Sequence, residues 1–162
     1  MSDYVDGKAL RKLLLGNMVP RAASLLPQTI VSPGTPYYTI YGGKVLVTGL
    51  VGEIVVANVG GACSASWFHA PSGAIGTGAL LCAATVITTW VVGDILSLTG
   101  LLTAGMSPTA HASSGVMLEV AGKGLLLMPG NLGVITTTGV AGQWEWQLTY
   151  IPIDDGAYVR AV

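Results

Sequence analysis

From Ile54 to Gly93 the chain carries no Asp, Glu, Lys or Arg, and between Lys44 and Arg160 its only Lys or Arg is Lys123. Just 9% of the residues are charged, against about a quarter in an ordinary soluble domain. A surface so poor in charge is weakly protected against association. It is therefore either covered by partner subunits or turned towards lipid. What fills the charge-free span is Gly, Ala, Val, Ser and Thr, and 23 of the 162 residues are Gly. That mixture suits strands and tight turns and disfavours long helices.

Ala74–Gly93 is about long enough to cross a bilayer. Yet it holds Gly76, Gly78 and Gly93 and four Thr, whereas membrane insertion is driven by Leu, Ile, Phe and Val. No Lys/Arg cluster flanks it to set a topology. The span reads as buried or subunit-covered β-structure, not a membrane helix. No signal peptide is evident, because Met1-Ser-Asp-Tyr-Val-Asp6 is acidic where a secretory leader is basic. The sequence therefore predicts a chain made in the cytoplasm, with no membrane partner. A net charge of −1 gives no field to steer the chain towards nucleic acid.

Residues 1–36 read as an N-terminal arm holding Lys8, Arg11, Lys12 and Arg21, four of the seven basic residues. Asp6 to Leu15 predicts a short helix, with Asp6 as N-cap and Gly16-Asn17 as its stop. Leu10, Leu13 and Leu14 share one face of it. Two to three turns are marginal alone in water, so this helix needs a surface to dock on. The candidate partner-binding residues are Lys8, Leu10, Arg11, Leu13, Leu14 and Arg21. Pro20, Pro27, Pro33 and Pro36 make the rest of the arm extended.

Residues 37–153 read as one β domain, and 154–162 as a C-terminal tail. Gly42-Gly43 looks like a hairpin turn after Tyr37–Tyr41. Lys44–Val59 predicts either two strands pivoting at Gly49 or Gly52, or one long bulged strand. Ala62–His69, Leu80–Thr89, Asp94–Thr99, Val116–Ala121, Leu125–Met128 and Leu132–Thr138 read as further strands. The clearest is Gln143–Pro152: Trp144, Trp146, Leu148 and Tyr150 alternate with Gln143, Glu145, Gln147 and Thr149. That period of two is the mark of a half-buried antiparallel strand. The expected fold is all-β, an antiparallel jelly-roll-like sandwich or barrel with the arm attached.

No catalytic signature stands out, and the chain reads as a non-enzyme without metal or cofactor. His69 and His111 stand alone in small-residue segments. Glu53, Asp94, Glu119 and Glu145 are scattered, so a carboxylate pair of glycosidase type needs tertiary convergence. Gly73–Gly78 lacks the Lys-Ser/Thr of a phosphate loop, and Asp154-Asp155-Gly156 lacks the alternating ligands of a calcium loop. Cys63 and Cys82 read as small buried hydrophobes, with a disulfide as the alternative. Trp144 and Trp146 belong in a core; exposed, they would make a sugar platform.

Taken together, Tyr37–Glu53, Leu80–Ala84 with Val92–Gly100, and Trp144–Ile153 resemble the capsid cement or decoration proteins of tailed double-stranded DNA bacteriophages. The likeness is one of pattern over roughly residues 35–155. It implies a virion structural protein on the outer capsid surface, bridging neighbouring major capsid proteins as a homo-oligomer, a trimer by family habit. The alternative is a virion fibre or host-recognition module that binds glycans. A small integral membrane protein is a third reading.

Overall fold

The computed structural model describes residues 16–25, 35–59, 61–72, 78–98, 103–109, 124–138 and 141–162. It consists of two antiparallel sheets packed face to face, with no helix and no closed barrel among the described residues. The first sheet runs β1 (Asn17–Leu25), β11 (Ala141–Pro152), β3 (Val45–Val59), β7 (Ile95–Ser97), β8 (Ser107–Thr109), with β9 (Leu125–Leu127) pairing the start of β3. The second runs β12 (Tyr158–Ala161), β2 (Thr35–Tyr41), β10 (Gly130–Thr136), β4 (Ser64–Pro71), β5 (Ala79–Leu80), with β6 (Thr85–Val86) on the other end of β4. No helix of the described residues is long and apolar enough to cross a membrane.

The alternation in β11 sets the core. Trp144, Trp146, Leu148 and Tyr150 are buried between the sheets, while Glu145 and Gln147 face out. Against them pack Tyr38, Ile40, Trp67, Leu132, Val134 and Val159 from the second sheet. Each large apolar side chain so buried contributes about 1.5–3 kcal/mol. The 15-residue β3 is one long strand, and its ladder with β11 slips register at three places. Those bulges let so long a strand twist around the core.

Several sequence expectations need correction. Gly42-Gly43 is not a hairpin turn, because β2 and β3 lie in different sheets. It is the corner that carries the chain across the sandwich. Gly42 has φ 73°, and a Cβ there would collide with the carbonyl oxygen of Gly156. Asp154 locks the corner: its carboxylate accepts the Lys44 backbone N–H at 2.8 Å and lies 3.6 Å from the Lys44 ammonium.

Leu80–Thr89 is not one strand but two short ones, β5 and β6. Between them Leu81 and Cys82 turn inward, and the Leu81 N–H donates to the Trp67 carbonyl. Consecutive apolar residues cannot all point inward from a regular strand, so the chain breaks there. Asn17–Leu25, read as part of an extended arm, is the edge strand β1. Its Pro20 fits because an edge strand has N–H groups with no ladder to serve. Tyr158–Ala161, read as tail, is β12. The short helix of residues 6–15 and the strand Val116–Ala121 lie outside the described residues.

Candidate functional site

A groove opens on the outer, solvent side of the first sheet. Pro20 and Ala22 on β1, Glu145 and Gln147 on β11, Val51 and Glu53 on β3, and Ile95 on β7 surround a groove of about 510 Å³. The ladder places them: Gln147 pairs both Pro20 and Val51, and Glu145 pairs Glu53, which pairs Ile95. The floor is mostly aliphatic.

Glu53 and Glu145 are thus direct cross-strand neighbours, and both are exposed. Like charges in that relation destabilise a sheet by up to about 1 kcal/mol. Neither carboxylate makes a hydrogen bond or ion pair with another described residue. The convergence of carboxylates that the sequence left to tertiary chance therefore occurs here. Among the described residues no set of three or more His, Cys, Asp or Glu could hold a metal.

On the other side of the same strands lies an aromatic core. Trp67 meets Trp146 edge-on at 4.7 Å between ring centres and Tyr37 at 5.7 Å. Trp144 stacks on Trp90 at 5.8 Å, and its Nε1–H donates to Asn58 Oδ1 at 3.2 Å. The Tyr38 hydroxyl and the indole N–H groups of Trp67 and Trp146 have no hydrogen-bond partner among the described residues. Burial pushes the Tyr38 phenol far above its ordinary range. Edge-on aromatic pairs offset such costs, at about 0.5–1.5 kcal/mol each. Trp144 and Trp146 are core residues, not a surface platform.

A second exposed feature lies on the outer side of the second sheet. Tyr158 and Tyr41 are cross-strand partners whose rings stack at 5.1 Å. Two residues along, Arg160 pairs Thr39, and Thr39 Oγ1–H donates to Asn131 Oδ1 at 3.0 Å.

Of the sequence's candidate partner-binding residues, only Arg21 is described. Its guanidinium carbon sits 3.8 Å from the centre of the Tyr37 ring, a cation–π contact that ties β1 to the second sheet. Lys8, Leu10, Arg11, Leu13 and Leu14 lie outside the described residues, as does His111. His69 is buried on β4 with Nε2 3.0 Å from the Met128 carbonyl oxygen. Burial lowers its pKa, partly offset by that bond. Cys63 and Cys82 are buried free thiols, the Cys82 sulfur accepting the Trp67 backbone N–H at 3.3 Å. Burial pushes the Cys82 thiol up in pKa.

The sequence reading missed both surface pairs. Glu145 stands on the polar face of the most legible strand, but nothing local says that β3 is its neighbour. Tyr158 was legible only as part of a tail. Comparison with known proteins finds no match, whether among family models, curated proteins or solved structures.

Proposed function

We propose that the chain is a non-enzymatic virion structural protein. In this reading it binds the outer surface of a phage capsid as a homo-oligomer, a trimer, and bridges major capsid proteins. In this reading the double-sheet winding, in which β1 to β4 and again β10 to β12 alternate between sheets, is of jelly-roll type. The residues of the N-terminal arm, Lys8, Leu10, Arg11, Leu13 and Leu14, contribute to attachment.

One observation carries the reading. The charge-free span exposes Val56, Leu80, Val86, Val91 and Val92, each 41–61% accessible, with no charged residue from Ile54 to Gly93. Leu80 and Val86 lie on β5 and β6, the short strands beside β4, Val91 and Val92 in the turn that follows β6, and Val56 on β3 of the first sheet. Large permanent interfaces are more apolar than ordinary surfaces, and a lattice of many copies multiplies weak contacts. Edge strands as short as β5 and β6 do not template further strands, so the contact would be through side chains. The test is to add purified protein to particles that lack it and pellet them. Decoration by the parent chain and its loss in Val86→Lys/Val92→Lys support the reading.

The stacked Tyr41–Tyr158 pair beside Arg160 and Asn131 favours a second reading, a host-recognition module that binds glycans. Tyr and Arg are enriched where binding energy concentrates. Binding on a glycan array that Tyr158→Ala abolishes would support it over capsid attachment.

A further inference from the structure

We infer that the groove on the first sheet is a docking site for the chain's own N-terminal segment, Lys8 to Leu14, when the protein is off the particle. The inference goes beyond the attachment reading and stands or falls apart from it.

The groove has an aliphatic floor of Pro20, Ala22, Val51 and Ile95 and a rim of Glu53, Glu145 and Gln147; Arg21 also lines it, but its guanidinium lies over the Tyr37 ring. Two exposed carboxylates side by side, with no partner among the described residues, favour a cationic occupant. The chain has seven Lys and Arg. Lys44 is held against Asp154, Arg21 lies over Tyr37, and Arg160 is on the far sheet. The four that remain are Lys8, Arg11, Lys12 and Lys123.

Three of those four immediately precede β1, which forms one wall of the groove. They are interspersed with Leu10, Leu13 and Leu14. Leucines for the floor and cations for the rim match the groove in both polarity and sign. Reach is sufficient as well. Docked, the segment runs as a strand and not as the helix its sequence suggests: Lys12 is five residues before Asn17, about 17 Å of extended chain, and Pro20 to Ala22 lie roughly 10–17 Å along the strand from Asn17. Gly16 has φ 75°, a left-handed residue at the point where the chain would reverse onto the outer face.

The test uses the full-length chain at low salt, with carbodiimide joining carboxylates to nearby amines without a spacer. A mixture of ¹⁴N- and ¹⁵N-labelled protein separates links within a chain from links between chains. The expected result is a Lys8 or Lys12 link to Glu53 or Glu145 within one isotope, lost at high salt. Trypsin should also cleave after Arg11 and Lys12 several-fold faster in Glu53→Gln/Glu145→Gln than in the parent. The double variant removes a like-charge pair from an exposed face, and circular dichroism checks that it folds. Links that run to Lys123, links of mixed isotope, no links, or equal cleavage rates would each overturn the inference. None of these readouts involves a capsid, so particle binding can fail while the docking holds, and the reverse.

Discussion

The indole of Trp146 lies across Gly52, its partner in the β3–β11 ladder. A Cβ on Gly52 would stand 2.7 Å from Cε3 and Cζ3 of that ring. Glycine is required there because the ring fills the space a side chain would take. Trp146 in turn meets Trp67 edge-on, so the contact passes directly to the second sheet.

Gly52→Ala should therefore displace the buried indole. Overpacking of this kind costs about 1–3 kcal/mol, and in a domain of this size each 1 kcal/mol lowers the melting temperature by about 2–4 °C. Thermal unfolding measures the loss, and tryptophan emission should shift as the ring moves. An unchanged melting temperature would mean the ring is not seated on Gly52.

Adjacent positions on β11 should behave oppositely. Trp146→Ala removes a fully buried ring and should cost roughly 3–5 kcal/mol. Glu145→Ala, on the outer face, should change stability by no more than about 0.5 kcal/mol, with relief of the Glu53 repulsion on the favourable side. Urea unfolding of the two variants reads both values. A one-residue slip in register would exchange them.

His69 gives the fold a pH dependence. Burial depresses its folded-state pKa below the usual value of 6.5, and the neutral ring sits against the Met128 carbonyl. Below about pH 6.5 the unfolded chain takes up the proton more readily than the folded one. Stability should fall as pH drops from 6.5 to the folded-state pKa, then stop changing on account of this group. In His69→Gln that component of the pH profile should vanish.

The two cysteines should titrate as thiols. In urea without reductant, a thiol reagent should count two per chain; in the native state both should react slowly, since both are buried and the Cys82 thiolate is disfavoured. A count of zero in urea would instead indicate a disulfide.

How much of this was legible follows from how local each signal is. The strand at Gln143–Pro152 announced itself because its alternation lies within ten residues, and the core positions of Trp144 and Trp146 followed. The bulged reading of Lys44–Val59 came from glycines set among Val and Ile. Which strands are neighbours has no local signal, so the Glu53–Glu145 pair was invisible although each residue was noted. Gly42-Gly43 misled because a tight glycine turn serves a hairpin and a sheet-to-sheet corner alike. Asn17–Leu25 and Tyr158–Ala161 carry little periodicity of their own, and become strands because β11 and β2 offer them unpaired edges. Because β1 begins at Asn17, the arm's part in attachment is tested by removing residues 1–15, which leaves the sandwich whole.

We propose that the charge-free span is a contact surface that fixes this protein to a particle. The most direct measurement is the occupancy of particles lacking the protein after incubation with the parent chain or with Val86→Lys/Val92→Lys, both verified as folded by circular dichroism. The parent is expected to saturate a defined set of sites while the variant binds at least ten-fold more weakly. Equal occupancy by the two, or no binding by the parent at any concentration, would contradict it.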